Sequence, residues 1–202
     1  MSYFLVSIIA YLLGSISFAV IVSRLFRLPD PRTYGSNNPG ATNVLRSGNK
    51  LAAVLTLLGD ALKGWAAVVI ASRAAPILGL GDAAIAIAAL FVFLGHLFPA
   101  FYQFKGGKGV ATALGVLLAL DWRVGIAAAV IWLVLFLVTK TSSIAALVAT
   151  AVTPIAAYYF RGGDMISGVV LLMAILVIWR HKENISRLLA GREKQISKSN
   201  RS

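Results

Sequence analysis

The sequence is dominated by long apolar runs that are separated by short loops rich in Lys and Arg. In chain order the runs occupy residues 2–23, 51–72, 83–101, 110–120, 124–139, 143–160 and 165–179. A helix needs about 20 apolar residues to cross the hydrocarbon core of a bilayer, and in lipid its backbone must be satisfied internally. The pattern predicts an all-α integral membrane protein with about seven transmembrane helices. Because the fourth and fifth runs are short, a five-span arrangement is the alternative.

The composition excludes an ordinary soluble protein. Of the 202 residues, 59% are hydrophobic and 13% are charged, whereas soluble domains carry about half apolar and about a quarter charged residues. The absence of cysteine excludes a disulfide framework and a cysteine-ligated metal site. The length leaves no room for a separate soluble domain, so we predict one transmembrane helical domain over residues 1–202. Its last part, 193–202, is predicted to be a disordered basic tail.

The basic residues are distributed unequally between the alternating loops. With seven spans, fifteen of the 19 Lys and Arg residues fall on one side, three fall on the other, and Lys63 lies within a span. Cytoplasmic loops carry the excess of Lys and Arg, so we predict an external N-terminus and a cytoplasmic C-terminus. The first run has no basic residue before Arg24 and no small-residue cleavage box, which predicts a retained span rather than a signal peptide.

Three polar segments lie on the predicted cytoplasmic side. The first, residues 34–46, is dense in Gly, Ser, Asn and Thr and ends at Arg46; a polar loop that opens the next helix is the alternative interpretation. The third, residues 181–189, contains His181 and Asn184, whose spacing places them on one face of a helix. An amphipathic helix on anionic lipid is the alternative there.

The second polar segment is typical of an anion site. Gly106, Gly107 and Gly109 allow successive backbone N–H groups to form a concave nest, and the helix that follows adds the positive end of its dipole. Lys105 and Lys108 supply full positive charges. The spacing is not that of a Walker loop. The segment predicts a phosphate cradle, and a glycine-rich turn whose lysines follow the charge rule is the alternative.

Ionisable residues also occur within or beside the predicted spans. His96 lies near the cytoplasmic end of the third run, where it is expected to face a polar interior, either as a packing residue or as a catalytic one. Asp60 and Lys63 lie within the second run and can pair, which would lower the cost of burying both; a role near a functional site is the alternative. The carboxylates are few and unclustered, so we predict no metal and no cofactor.

Together these segments resemble the bacterial acyl-phosphate-dependent glycerol-3-phosphate acyltransferase family, almost from end to end. The matching positions are Gly14, Ser15, Ile16, Ala19, Gly35, Ser36, 38–43, Arg46, Gly95, His96, Phe98, Pro99, 104–112, His181, Asn184 and Arg187. Residues 104–112 are the most specific of these. Asn37 and Ser17 depart from the family pattern, which usually has Gly and Pro there, and neither is expected to touch a reacting group.

The resemblance implies transfer of a fatty acyl chain from acyl phosphate to the 1-hydroxyl of glycerol 3-phosphate, giving lysophosphatidic acid and inorganic phosphate. This would be the first acylation of phospholipid synthesis, at the cytoplasmic face of the bacterial inner membrane. Acyl phosphate has a good leaving group, and no cysteine or evident Ser-His-Asp arrangement is present, so direct attack is simpler than an acyl-enzyme. The implied partners are the two substrates, membrane lipid and the enzyme that supplies acyl phosphate, without nucleic acid.

The resemblance also divides the polar residues between the two substrates. The residues implied to bind acyl phosphate are Gly106, Gly107, Lys108, Gly109, Thr112, Asn38 and Gly40. Those implied to bind glycerol 3-phosphate are Ser36, Arg46, Lys105, His181 and Asn184. The implied catalytic residues are His96, Ser36 and Lys105. His96 would either accept the hydroxyl proton or orient the loop, and the substrate's own phosphate is an alternative base.

Two other classes of protein share part of the pattern. A membrane carrier or channel for phosphorylated metabolites would use the same cationic loops, but it needs polar residues along a path through the bilayer. Here the polar groups concentrate at one side. A non-catalytic scaffold that binds acidic lipid would leave His96 and the glycine segment without a role. The pattern therefore favours the enzyme.

Overall fold

The computed structural model describes residues 1–193 and 195, and all regular secondary structure within these residues is helical. The α-helices are α1 (Ser2–Gly14), α2 (Phe18–Leu25), α3 (Ala41–Leu45), α4 (Lys50–Ile77), α5 (Asp82–Leu97), α6 (Val110–Leu120), α7 (Trp122–Thr139), α8 (Ser142–Arg161), α9 (Met165–Arg180) and α10 (Lys182–Leu189). A short 3₁₀ helix spans Ala100–Tyr102. The all-α prediction is confirmed. Of the predicted tail at 193–202, only Glu193 and Gln195 lie within the described residues.

Each predicted apolar run is helical, although the first is broken between Gly14 and Phe18. The helices differ in their ability to span a bilayer. In the described part of the chain, five segments are long and apolar enough: Ser2–Leu25, Lys50–Ile77, Asp82–Tyr102, Trp122–Thr139 and Ser142–Arg161. A sixth candidate is the pair formed by α9 and α10, which is bent by 56°. Helix α6 has 11 residues, about 16 Å of helix, against a hydrocarbon core of about 30 Å. The number of spans and the orientation of the termini therefore stay predictions.

Helix α4 forms the centre of the bundle and packs closely against α5 and α6. The closest approach to α6 requires glycine, because a Cβ at Gly115 would collide with the backbone carbonyl of Ala61. Helices α1 and α5 meet in the same way at Gly14, where a Cβ would collide with the backbone of Val92. Small residues allow such close contact between helices in lipid, where the hydrophobic effect does not drive association.

The loops at one end of the bundle are held by specific side chains. Buried Asn43 donates to the carbonyl oxygens of Pro31 (2.6 Å) and Tyr34 (3.0 Å) and accepts from the backbone N–H of Ser36 (3.0 Å). All of these contacts lie in the loop that precedes α3, so one amide fixes the path of that loop. A second bond holds the residue that follows α5: the Tyr11 hydroxyl of α1 donates to the carbonyl of Phe98 (2.6 Å). These bonds position the loops from which the site is built.

Candidate active site

A cavity of about 470 Å³ lies between α4 and the helices α6 to α10. One end is polar and is formed by the loop before α3, the starts of α6 and α8, and the end of α9 with α10. The polar lining residues are Ser36, Asn38, Thr42, Asn43, Arg46, Asp60, His96, Lys108, Ser142, Ser143, Thr150, Thr153, His181, Asn184, Arg187 and Glu193. The remainder is apolar and includes Leu57, Val110, Leu114, Leu117, Ala128, Trp132, Ala146, Val170, Met173 and Val177.

The apolar part of the cavity is closed at its far end. Leu117, Ala128 and Val170 line the cavity and pack with Val124 and Ala157 into one buried hydrophobic cluster. These residues lie near the end of α6, the start of α7, the end of α8 and the start of α9. A ligand that enters at the polar end and extends into the apolar part therefore meets these packed side chains.

Lys108 lies at the junction between the polar end and α6. Its ammonium group donates to Oδ1 of Asn184. Burial, together with the positive charge of Arg187, lowers the pKa of Lys108 to about 8. Helix α6 begins two residues later, and no side chain caps its first N–H groups. A free helix N-terminus beside a lysine is an anion-binding arrangement.

The glycine segment before α6 departs from the predicted nest. The N–H of Gly107 donates to the carbonyl of His96 (3.1 Å) and so is not available to a ligand. Arg180 donates to the carbonyl oxygens of Gly106 (2.8 Å) and Gly107 (3.1 Å). Internal bonds thus occupy both carbonyls and the Gly107 N–H, and beyond this segment an anion can meet the N–H groups of Lys108 and the start of α6.

His181 is oriented by its own helix. Its Nδ1 lies 2.8 Å from the carbonyl oxygen of Val177, which can only accept, so Nδ1 carries the proton in the neutral ring. The other nitrogen, Nε2, is then an acceptor. Because buried His181 lines the cavity, it offers a hydrogen-bond acceptor to a hydroxyl group there.

Glu193 is bound by groups that surround the polar end. Its carboxylate accepts from Asn184 (2.5 Å), Arg187 (2.7 Å) and Ser143 (2.8 Å). Burial by itself would raise the pKa of Glu193, but these hydrogen bonds outweigh it and hold the pKa below its usual value. The sequence did not single out Glu193 or Ser143, because neither lies in a glycine-rich or strongly patterned segment.

Arg46 lies at the end of α3 on the cavity wall. Among residues 1–193 and 195 it pairs with no carboxylate. We define the cavity cluster as Arg46, Lys108, His181, Asn184, Arg187 and Glu193. It contains three cationic side chains and one carboxylate, so two positive charges are left for an anionic ligand.

The structure brings most of the predicted site residues together. The ones that line the cavity are Ser36, Asn38, Gly40, Arg46, His96, Lys108, Gly109, His181 and Asn184. Gly106 and Gly107 lie behind it, in a narrow crevice with Ser15 and Lys63. Thr112 is fully buried within α6 and is not part of the lining, and Lys105 is exposed outside the cavity. Within the described residues, no group of three or more His, Asp or Glu side chains is placed to hold a metal ion.

Comparison with known sequences identifies the family. The sequence model described as glycerol-3-phosphate acyltransferase matches residues 4–191. The glycerol-3-phosphate acyltransferase of Nitrosospira multiformis is 60% identical over 189 residues, which are 94% of either chain. That of Nitrosomonas eutropha is 57% identical over 190 residues, 94% of this chain and 95% of its own.

Comparison with solved structures gives the same result. The crystal structure of PlsY (YgiH), an integral membrane glycerol 3-phosphate acyltransferase, in its glycerol 3-phosphate form has a TM-score of 0.89 and 38% identity, covering 98% of this chain and 96% of that one. Its lysophosphatidic acid form has a TM-score of 0.87 and 37% identity with the same coverage. The chain, an integral membrane acyltransferase, therefore belongs to the glycerol-3-phosphate acyltransferase family.

Proposed function

We propose that this protein transfers an acyl group from acyl phosphate to the 1-hydroxyl of glycerol 3-phosphate and releases lysophosphatidic acid and inorganic phosphate. One observation carries the proposal: a single cavity joins a cationic polar end to a closed apolar part. Both substrates carry phosphate, and only the donor carries a long hydrocarbon chain. The cavity provides a separate environment for each of these chemical groups.

The acyl phosphate is proposed to bind with its chain in the apolar part and its phosphoryl group at the start of α6. There Lys108 and the uncapped N–H groups of α6 meet the leaving phosphate. Negative charge accumulates on this phosphate as the acyl carbon–oxygen bond breaks. Donors placed in advance at a developing charge are usually the largest single contribution to catalysis.

Glycerol 3-phosphate is proposed to bind on the other side of the polar end. Arg46 is suited to its phosphate, because a guanidinium can donate to two phosphate oxygens at once. Ser36, His181 and Asn184 line the same end and provide neutral hydrogen-bonding groups for the glycerol moiety. Nε2 of His181 would accept from a glycerol hydroxyl and orient its oxygen.

Direct transfer accounts for the chemistry with the groups at hand. The 1-hydroxyl oxygen bonds to the acyl carbon, the bond from that carbon to the phosphate oxygen breaks, and the hydroxyl proton leaves with the inorganic phosphate. No acyl-enzyme is required, because the mixed anhydride already has a good leaving group. The enzyme's contribution is positioning and charge stabilisation.

We further propose that the polar end faces the cytoplasm of a bacterial cell, at the inner membrane. The support is the excess of Lys and Arg in the loops of that side. The cavity cluster lies among the same loops, where a soluble phosphorylated substrate would arrive.

The test uses purified protein in lipid vesicles with acyl phosphate and radiolabelled glycerol 3-phosphate, without coenzyme A or metal. Labelled lysophosphatidic acid with equal release of inorganic phosphate is expected. Product formed only from acyl-coenzyme A would replace the proposed donor. Label that accumulates inside the vesicles without product would favour the carrier, although the closed cavity argues against a path through the protein.

A variant pair sharpens the test. Arg46→Gln should raise the KM for glycerol 3-phosphate about 10–100-fold, because a hydrogen bond to a charged group contributes about 1.5–3 kcal/mol. Arg24→Gln is the matched control, since Arg24 is exposed on α2 and lies outside the cavity. Equal KM values for the two variants would remove Arg46 from the site.

A further inference from the structure

A second charged cluster lies inside the helical bundle. Its members, Asp60 and Lys63 on α4 and His96 on α5, form what we term the buried cluster, with side chains 3%, 1% and 7% exposed. Lys63 Nζ lies 2.8 Å from Asp60 Oδ1, and Nδ1 of His96 lies 3.5 Å from the same oxygen. Lys63 also donates to the carbonyl of Ile16 (2.6 Å), where the chain breaks between α1 and α2.

Burying the charges of this cluster in a membrane is costly. Ionisable groups within membrane spans are rare and mark functional sites more often than structural ones. Asp60 and His96 also line the cavity. Their position next to the proposed phosphate site suggests that the cost is offset by a function there.

The contact between the buried cluster and the site is made by His96. Its carbonyl accepts from Gly107 N–H (3.1 Å). Its imidazole ring packs so closely on Gly107 that a Cβ at that position would collide with Nε2. A Cβ at Gly106 would collide with the His96 carbonyl. His96 therefore sets the path of the segment that carries Lys108 and begins α6.

The orientation of the His96 ring is set by its neighbours. Its Nδ1 faces the Asp60 carboxylate, which can only accept, so this nitrogen carries the proton. Its Nε2 lies against the backbone of Gly107. The Asp60 carboxylate and Gly107 thus lie against the two sides of the ring, which sets its orientation.

We propose that Asp60 and His96 are positioning residues that hold the phosphate-binding segment 106–109 in register, with Lys63 as the counter-ion of Asp60. This rests on the proposed function for the identity of the phosphate ligand. It assigns a role to the two charged residues within the second span. For His96 it favours the orienting role, one of the two roles that the resemblance leaves open.

The experiment compares three variants with the wild type in vesicles. His96→Gln removes the ring, and the double variant Asp60→Asn with Lys63→Met removes both charges together, so that no unpaired ion is left. Thr56→Val is the matched control, because Thr56 is fully buried on α4 one turn away and bonds only to its own helix at Ala52. The measurements are kcat, both KM values, the pH–rate profile and the melting temperature.

The first two variants should lower kcat/KM for acyl phosphate about 10–100-fold, the loss typical of a displacement near 1 Å. The KM for glycerol 3-phosphate should change less than about twofold, since its contacts are untouched. The pH–rate profile should keep its shape. The proposal is overturned if His96→Gln flattens that profile, if the double variant keeps wild-type kinetics, or if both substrates weaken in parallel with a lower melting temperature.

A second measurement does not depend on which acyl donor the enzyme uses. Amide hydrogen exchange should become faster in the peptide that covers residues 104–112 in His96→Gln and in the double variant. Peptides from α7 and α8, and all peptides of Thr56→Val, should exchange as in the wild type. If the wild type makes no product from acyl phosphate, the proposed donor fails, while exchange at 104–112 still decides the positioning role. Unchanged exchange in both variants would refute it.

Discussion

The two charged clusters of this protein lie side by side but are built on opposite principles. In the buried cluster, Lys63 and Asp60 cancel each other at 2.8 Å within one helix. The cavity cluster holds three cations, Arg46, Lys108 and Arg187, and only the last of these bonds to its single carboxylate, Glu193. A matched pair of buried charges orders the protein, whereas unmatched charge on the wall of a cavity is available to a ligand. The buried cluster, whose pair is balanced, thus supports the fold, whereas the cavity cluster, which has an excess of positive charge, is suited to bind substrate.

The largest expected effect comes from unbalancing the buried cluster. Lys63→Met should leave the Asp60 carboxylate without a counter-ion, and breaking a buried pair in this way costs about 3–5 kcal/mol. The free energy of unfolding should therefore fall steeply in a reversible unfolding assay in detergent. The double variant with Asp60→Asn should recover most of it. A single variant as stable as the wild type would show that the pair is not what balances this region.

Removing a cation from the cavity cluster should lower activity without lowering stability. Lys108→Met should lower kcat about 10²–10³-fold, as loss of a group that stabilises a leaving charge does. Stability should not fall, because the substitution removes a buried cation that has no carboxylate directly bonded to it. Steady-state kinetics and thermal melting of one preparation give both values. A loss of both stability and activity would show that Lys108 supports the fold, as the buried cluster does.

The same residue predicts a pH dependence. With a pKa of about 8, Lys108 is protonated below that pH and loses its positive charge above it. The kcat/KM for acyl phosphate should therefore fall about tenfold for each pH unit above 8, the slope of one titrating group. Lys108→Arg should abolish the fall, since a guanidinium stays charged. A fall that is identical in the arginine variant would assign the titration to another group.

The sequence predicted the helices well and their interruptions poorly. The apolar runs mark where helices form because lipid exposure leaves the backbone few alternatives. The apolar runs do not mark the break between Gly14 and Phe18, where Lys63 bonds to Ile16, or the 56° bend near His181. For this reason the number of spans does not follow from the number of runs.

The site shows the same limit. The residues of the cavity cluster in the three polar segments were predicted because their residue types and their resemblance to a family mark them. Ser143 and Glu193 were missed, since their contact spans 50 residues and depends on how α8 packs. The role of Gly107 was predicted differently: its N–H is used by His96, a contact that only the folded chain reveals.

A smaller effect tests whether the ligand also occupies the apolar part of the cavity. Ala128→Leu enlarges a side chain on the closed end of the cavity. Each methylene that no longer fits should cost about 0.8 kcal/mol, or about fourfold in kcat/KM. Acyl phosphates of increasing chain length, assayed side by side, should show the preference of the variant shifted to shorter chains. Gly168→Ala, with open space at its α-carbon, is the matched control.

The smallest effect is expected at Lys105, which lies three residues before Lys108 in sequence but belongs to neither cluster in space. The resemblance implies that it binds glycerol 3-phosphate, but its side chain is exposed and lies outside the cavity lining. An exposed cation in water interacts weakly, by about 0–1 kcal/mol. Lys105→Ala should therefore change kcat and both KM values less than about threefold, even at low salt, where a surface charge has its greatest effect. A loss comparable with that of Lys108→Met would show that the segment 105–109 closes over the substrate. In that case Lys105 would bind substrate together with the cavity cluster, although its side chain lies outside the cavity in this structure.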